Sequence, residues 1–152
     1  MINLKPITEN NVLKVCELSD TLSENHKKMV KTNALSIAQA YTDKYALPRA
    51  IYNDDELVGF IMMYYGPDDE KPDEDIAYLW RFMVATDFQG RGFGRDALKI
   101  IFDEVKQKGI DVLYASCAQG EGSPLEFYKS VGFVETGDMN DDQVVIKVNL
   151  ND

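Results

Sequence analysis

The chain has 152 residues, 45% of them hydrophobic, and a formal net charge of −10 at pH 7. This length favours a single globular domain, residues 1–152, and the negative charge argues against a nucleic-acid partner, since Lys and Arg would have to neutralise its phosphates. A cationic partner fits better, and the short apolar runs and the lack of a signal peptide predict a cytoplasmic protein outside the membrane.

The first third of the chain alternates strand and helix patterns. Residues 3–7 predict a strand, and Thr8 can cap a helix that carries apolar residues as far as Leu18. Residues 23–31 are polar and predict an irregular or weakly helical segment. Asn33 can cap a second helix, whose apolar face would pack on the core.

Histidine and cysteine are too sparse to predict a metal site. The chain has one histidine, His26, in the polar segment, which we interpret as a surface residue. Cys16 and Cys117 are far apart and lack metal-ligand spacing, so we expect reduced thiols and no metal.

Two predicted strands, residues 49–52 and 57–65, form a hairpin that leads into an acidic segment. The segment GPDDEKPDEDIA is either a solvated loop or an acidic rim that attracts a polycation. Its acidic residues are Asp68, Asp69, Glu70, Asp73, Glu74 and Asp75, with Lys71 as the single base.

A strand, a glycine turn and a helix occupy the centre of the chain. Residues 78–84 are apolar and aromatic, which indicates a buried strand, and apolar residues recur at helical spacing over 97–105 until Gly109. The turn between them contains Gly90, Gly92 and Gly94. Because the first N–H groups of a helix lack partners, such a turn binds an anion, usually a phosphate.

The spacing of the glycines distinguishes between phosphate-binding motifs. A P-loop needs a Lys-Ser/Thr pair that is absent here. A dinucleotide-binding fold needs a third glycine at the position of Arg95. It also needs an acidic residue at the end of the following strand, whereas Asp111 lies at the start of that strand. The pattern Q/R-x-x-G-x-G/A fits Gln89, Gly92 and Gly94.

The C-terminal third adds three strands and one short helix. Residues 112–117, 133–136 and 144–148 predict strands, with an acidic turn over 137–142 between the last two. The sum is an α/β (α+β) fold with a mixed, largely antiparallel sheet of about seven strands and about four helices.

A second motif, F-Y-x-x-x-G-F, is matched by Phe127, Tyr128, Gly132 and Phe133. With the glycine turn in the right order and separation, the chain resembles the GNAT superfamily of acyl-CoA-dependent N-acetyltransferases over residues 2–150. The resemblance departs from the family pattern on the approach to Tyr128. The family often has Asn seven residues before this Tyr and Ala four before, and this chain has Glu121 and Pro124 there.

The resemblance implies acetyl-CoA as co-substrate. In the family the glycine turn holds the CoA pyrophosphate through backbone N–H groups, and the preceding strand pairs with the pantetheine arm. Basic side chains would complete the site. The residues so implied are Phe82, Met83, Val84, Gln89, Gly90, Arg91, Gly92, Phe93, Gly94, Arg95 and Lys129.

Tyr128 matches the family's general acid, which would give its phenolic proton to the leaving thiolate. The base that takes a proton from the amine is left open, with Glu121, Asp75 and Glu74 as candidates. The early helical region borders the acceptor site in the family, which makes Asn33, Ser36, Gln39 and Tyr41 candidate contacts. We predict that Tyr41, Asp75, Glu74 and Glu121 bind the substrate.

Within the superfamily, the chain is most similar to bacterial spermine/spermidine (diamine) acetyltransferases. The similar segments are NALSIAQAY, PRAIYNDDELVGFIMM, YLWRFMVATDFQGRGFG and SPLEFYKSVGF. The acidic balance agrees with a polycationic small-molecule amine. The alternatives are another small amine, an aminoglycoside, a protein amino group, or a CoA-binding module without catalysis; a homodimer is left open.

Overall fold

The computed structural model describes residues 1–151 and contains a seven-stranded sheet with helices packed on both faces. The strands are β1 (Ile2–Pro6), β2 (Ala46–Asn53), β3 (Glu56–Pro67), β4 (Asp75–Val84), β5 (Val112–Cys117), β6 (Val134–Asn140) and β7 (Gln143–Asn149). The helices are α1 (Val12–Leu18), α2 (Glu24–Met29), α3 (Asn33–Tyr41), α4 (Phe93–Gln107) and α5 (Leu125–Ser130). No helix within residues 1–151 combines the length and the apolar character needed to span a membrane.

The sheet order is β1-β2-β3-β4-β5-β7-β6, and every neighbouring pair is antiparallel except β4 and β5. This confirms the predicted mixed, largely antiparallel sheet. β4 and β5 run parallel because α4 crosses over between them, as a parallel connection requires. Their pairing extends only from Ala77↔Leu113 to Leu79↔Ala115, so β4 continues to Val84 without β5 beside it. The two strands diverge at the centre of the sheet.

The core lies in two layers, one on each face of the sheet. On one face α4 buries Leu98, Ile101 and Val105 completely, and each contributes about 2 kcal/mol by removal from water. On the other face Val15 of α1 packs in a cluster with Phe60 of β3. The layers keep the sheet rigid between two sets of helices.

Two predicted helix caps are wrong, for different reasons. Thr8 precedes a turn and not a helix: its N–H donates to Asn11 Oδ1 at 2.8 Å, and α1 begins only after Asn11. At α3 the cap is Thr32, whose Oγ1 accepts from the Leu35 N–H at 3.2 Å. Asn33 is buried instead, because its Nδ2 donates to the Val15 carbonyl at 2.8 Å and satisfies a core acceptor.

The predicted acidic turn over residues 137–142 is mostly strand. β6 continues to Asn140, and the connection to β7 is a tight turn in which Asp141 has a left-handed φ of 54°. The register between β6 and β7 shifts between Glu135 and Met139, so the strand is irregular. Ladder pairing with β7 therefore overrides the local turn composition of this segment.

One partly buried ion pair joins α4 to the sheet. Arg49 of β2 donates two hydrogen bonds to the Glu104 carboxylate, at 2.7 and 2.8 Å, and the Tyr65 hydroxyl of β3 donates a third. Burial raises the pKa of Glu104, but the hydrogen bonds from Arg49 and Tyr65 outweigh it and hold the pKa below its ordinary value. The carboxylate is thus ionised in the folded protein.

We predict that Arg49→Met lowers the free energy of unfolding by about 2 kcal/mol, because it leaves a half-buried carboxylate without its cation. Since Glu104 has a lower pKa folded than unfolded, the ion pair stabilises the protein above the unfolded pKa of about 4.3, and this contribution disappears as pH falls through the folded value. Urea unfolding across this pH range measures both effects. Asp103→Asn, at an exposed neighbour on α4, is the control; an equal loss in that variant would contradict the assignment.

Candidate active site

The glycine turn after β4 has a backbone that other residues adopt only with strain. Gly90 and Gly92 have left-handed φ angles of 77° and 84°, a conformation that costs L-residues about 1–2 kcal/mol. A Cβ added at either position would meet no atom within 4 Å, so the turn faces open space. Gln89 donates from Nε2 to the Val84 carbonyl at 2.9 Å and ties the turn to the end of β4.

The turn leaves the N-terminus of α4 uncapped. Gly92 occupies the cap position and has no side chain to bind the N–H groups of the first turn. These N–H groups and the helix dipole therefore favour an anion. Gly94 lies inside the helix, and a Cβ there would reach within 3.3 Å of Phe82 and 3.4 Å of Phe127. Its small size lets both rings approach the helix start.

A cavity of about 560 Å³ opens beside this turn; we call it the turn cavity. It is bounded by the end of β4, the glycine turn, α2 and α5. The structure brings together most of the residues that the sequence assigned to the cofactor. Those that line the turn cavity are Phe82, Met83, Val84, Gln89, Gly90, Gly92, Phe93, Gly94 and Arg95.

Two of the predicted basic residues lie outside the lining of the turn cavity. The Arg91 guanidinium lies 5.5 Å from the Phe88 ring centroid, at the edge of the turn. Lys129 forms an ion pair with Glu135 at 3.0 Å. Arg95 does line the cavity, and its guanidinium donates to Ser130 Oγ at 3.1 Å.

Residues of the polar segment before α3 also line the turn cavity, and sequence reasoning missed them. Leu22, His26 and Met29 all border it. The segment contains the short helix α2, where Ser23 accepts a hydrogen bond from the His26 N–H at 3.3 Å. The sequence predicted an irregular or weakly helical segment with a surface histidine, and the short helix α2 agrees with the second alternative, but its polar composition gave no signal that it borders a cavity.

A second cavity, of about 1000 Å³, is lined in part by strands β3, β4 and β5; we call it the sheet cavity. Tyr64, Tyr78 and Trp80 line it from β3 and β4, and Ser116 and Cys117 line it from β5. Its acidic residues come from three separate loops, and its basic residues come mainly from α2 and the segment after it. The acids are Asp43, Asp68, Asp69, Asp141 and Asp142; the bases are Lys27, Lys28, Lys31 and Arg81.

The residues predicted to bind the acceptor are not among those that line the sheet cavity. Tyr41 is 92% exposed, and Glu74, Asp75 and Glu121 are also exposed. Their exposure follows from their positions in loops and at an element end, which local sequence cannot orient.

The other contact candidates are buried or partly buried. Asn33 and Ser36 are buried, and Gln39 accepts from Arg81 Nη2 at 3.0 Å. Gln39 therefore contacts Arg81, which lines the sheet cavity and was not among the residues predicted from the sequence.

Five residues border both cavities: Met29, Val30, Phe82, Pro124 and Tyr128. Tyr128 is the one with an ionisable side chain. It is only 6% exposed, and its ring lies 5.3 Å from that of Phe133 and 6.4 Å from that of Phe82, measured between centroids. Burial raises the pKa of Tyr128, and neighbouring Cys117 and Tyr78 raise it further. The phenol is thus uncharged at neutral pH and borders both cavities.

The loop before α5 positions Tyr128. Ser123 Oγ donates to the Ala118 carbonyl at 2.6 Å and accepts from the Leu125 N–H at 3.1 Å, which connects β5 to the helix start. After the helix, the Phe133 N–H returns to the Tyr128 carbonyl at 3.0 Å. Across residues 1–151, His, Cys, Asp and Glu side chains form no group able to hold a metal ion.

Comparison with known proteins agrees with this geometry. Residues 16–133 match the model of the Acetyltransferase (GNAT) family. A spermine/spermidine N(1)-acetyltransferase of Bacillus subtilis is 26% identical over 150 residues, 96% of this chain and 97% of that protein. A ribosomal protein bS18-alanine N-acetyltransferase of Salmonella typhimurium is 34% identical over 61 residues, 40% of this chain and 41% of that protein.

The fold is shared with a crystal structure of an acetyltransferase from Thermus thermophilus. The TM-score is 0.79 at 18% identity, over 99% of this chain and 97% of that one. The family match covers the glycine turn and the Tyr128 motif. We conclude that this chain belongs to the Acetyltransferase (GNAT) family.

Proposed function

We propose that this acetyltransferase moves an acetyl group from acetyl-CoA to a primary amine of a polyamine, by direct attack while both substrates are bound. The observation that supports this most is the place of Tyr128, buried between the turn cavity and the sheet cavity. A cofactor in the first cavity and an acceptor in the second would meet beside its hydroxyl group.

The turn cavity fits the chemical parts of CoA. The uncapped start of α4 suits the pyrophosphate, and Arg95 adds a positive charge beside it. The end of β4, residues 82–84, offers backbone groups beyond the three residue pairs that join it to β5, which suit the amides of the pantetheine arm. When bound, acetyl-CoA supplies a thioester whose acetyl carbon the amine attacks.

Tyr128 would act as the general acid. As the neutral amine bonds to the acetyl carbon, its nitrogen gives up one proton to solvent or to the unassigned base, and the carbon–sulfur bond breaks so that the sulfur leaves as a thiolate that needs a proton. The phenol can donate it, since its raised pKa keeps it protonated at neutral pH. A backbone N–H of residues 82–84 would stabilise the negative charge on the carbonyl oxygen.

The polyamine assignment draws on two observations. The Bacillus subtilis spermine/spermidine acetyltransferase matches nearly the whole of both chains. In addition, the sheet cavity carries five carboxylates from separate loops beside four basic side chains, and the carboxylates can each bind an ammonium group of a multiply charged cation. A protein amino group is the second candidate, because the bS18-alanine acetyltransferase also matches, over a shorter segment.

We predict that Gly92→Ala weakens CoA binding about tenfold, because the side chain strains the left-handed turn that presents the N–H groups. Isothermal titration with CoA measures the affinity. The matched control is Gly109→Ala, at the other end of α4, where φ is 76° and the space is equally open. Equal weakening in both variants would mean that helix stability, and not anion binding, sets the affinity.

We predict that Tyr128→Phe lowers kcat about 100-fold or more and leaves acetyl-CoA binding nearly unchanged, since the variant keeps the ring and loses the proton. Thiol release from acetyl-CoA measures turnover. Tyr52→Phe, in β2 and away from both cavities, is the control for loss of a phenol. Unchanged kcat in Tyr128→Phe would remove the phenol from the reaction.

We predict acetylation of spermine and spermidine at rates well above those of lysine, an aminoglycoside and a basic peptide, with KM for the polyamines rising as salt screens the acidic cavity. The same thiol assay, with each amine in turn, measures this. Faster turnover of the peptide would favour the protein-amine candidate. Binding of CoA with no turnover of any amine would contradict the enzymatic assignment.

A further inference from the structure

One corner of the sheet cavity combines aromatic rings with carboxylates. Tyr64 of β3 and Trp80 of β4 both line the cavity, with ring centroids 6.4 Å apart and ring planes at 81°. Tyr45 packs edge-on against Tyr64 at 5.8 Å. Such rings hold an ammonium group through their electron-rich faces.

Carboxylates surround the same ring from two directions. Asp43 follows α3, while Asp68 and Asp69 follow β3, and all three line the cavity. We call these three acids, with Tyr64 and Trp80, the aromatic–acidic corner. Burial raises the pKa of Tyr64, and Asp43, Asp69 and Asp75 raise it further. Carboxylates therefore dominate the surroundings of this ring, and Lys44 lies beside the corner, with its Nζ 5.1 Å from the Tyr45 ring centroid.

The three carboxylates of the corner are available to a cationic ligand. Within residues 1–151 none of them forms an ion pair. Asp43 accepts the Tyr45 N–H at 2.9 Å, and Asp68 accepts the Glu70 N–H at 3.1 Å. Each of these two contacts uses one carboxylate oxygen for its own loop, so the rest of the acceptor capacity is open to a ligand.

Tyr78 lies between the aromatic–acidic corner and Tyr128. The Tyr78 hydroxyl is buried and has no hydrogen-bond partner, and Tyr78 lines the cavity. Tyr78 pairs directly with Tyr64 across β3 and β4, and it lies near enough to Tyr128 to raise the pKa of that phenol. A row of three tyrosines thus leads from Tyr128 to the corner. The Tyr78 hydroxyl itself is closed to solvent, so what the row offers a ligand is its ring faces.

Arg81 limits what Trp80 can contribute. Its guanidinium lies 5.5 Å from the Trp80 ring centroid and donates to Gln39. Trp80 therefore already holds one cation and serves as a wall of the corner. Tyr64 and the carboxylates remain to bind a new one.

We propose that the aromatic–acidic corner binds a second ammonium group of the acceptor while the reacting amine lies at Tyr128. This second-ammonium site rests on the proposed amine acetylation. It would make the enzyme select an alkyl chain with an amino group at each end in preference to a monoamine. The alkyl chain would lie along Tyr78 and the uncharged faces of the rings.

The first test compares acceptors that differ only in the second charge. Putrescine and n-butylamine have the same carbon chain, and spermidine extends it. In the double variant Asp43→Asn/Asp69→Asn, we expect kcat/KM for putrescine and spermidine to fall about tenfold through KM, with that for n-butylamine unchanged. Asn keeps an oxygen that can accept the loop N–H group, so the fold is retained. The charge-matched control, Asp54→Asn/Asp103→Asn, changes two exposed acids outside both cavities.

The second test needs no turnover. Trp80 is the only tryptophan of the chain, so its fluorescence reports directly on the corner. Titration of spermidine should change this signal saturably, and the double variant should require about tenfold more spermidine. n-Butylamine should leave the signal unchanged in both proteins.

The outcomes separate the two proposals. Equal losses for diamine and monoamine in the double variant, or a spermidine titration unaffected by it, would overturn the second-ammonium site while leaving amine acetylation in place. If no amine is acetylated, the proposed function fails, and the Trp80 titration alone then decides whether the corner binds a diamine.

Discussion

The divergence of β4 and β5 is the constraint on which the rest of the structure depends. The two strands are parallel because α4 connects them, and they pair over only three residues, from Ala77 to Leu79 of β4. Beyond that point β4 keeps its partner β3 and loses β5. The split leaves unpaired backbone at the centre of an otherwise continuous sheet, and both cavities open against it.

The crossover that makes the strands parallel also produces the uncapped helix start that favours an anion. β4 runs into a turn whose left-handed glycines leave the start of α4 bare. The ion pair between Arg49 and Glu104 then fixes the helix to β2 and β3 on the opposite side of the split. Helix position, turn geometry and strand divergence are thus coupled through one βα unit.

Charge is distributed to suit two unlike ligands. The chain as a whole carries a charge of −10, yet the turn cavity presents a helix N-terminus and Arg95. The sheet cavity holds the carboxylates, and the buried, neutral Tyr128 lies between the two regions. A local basic site in an acidic protein is what an anionic cofactor and a cationic acceptor require.

Motifs whose role depends on local backbone geometry were predictable from the sequence. The glycine spacing predicted the turn, and the period of α4 and the Tyr128 motif predicted elements that the structure contains. The cap at Thr8 was wrong because Asn11, three residues on, accepts the Thr8 N–H in a turn before the helix. The cap at Asn33 was wrong because its side chain donates to Val15 of another helix.

Asp68 and Asp69 of the sheet cavity belong to the segment that the sequence offered as an acidic rim, but the other acids of the cavity were missed for a related reason. Asp43 and Asp141 belong to no motif in the sequence and come together only when loops from different strands meet over one sheet face. Glu121, suggested by its motif position, and Tyr41, suggested by the early helical region, line neither cavity because their exposure is set by tertiary packing. Local pattern thus identifies the cofactor side of the site better than the acceptor side.

The measurement that tests this account most directly is the initial-rate pattern with acetyl-CoA and spermidine varied together. Two cavities that meet at Tyr128 require both substrates to be bound at once, so the double-reciprocal lines should intersect, and no acetylated protein should accumulate without an amine. Parallel lines, together with an acetyl group found by mass spectrometry on Cys117, which borders the sheet cavity, would show transfer through the enzyme itself and contradict the account.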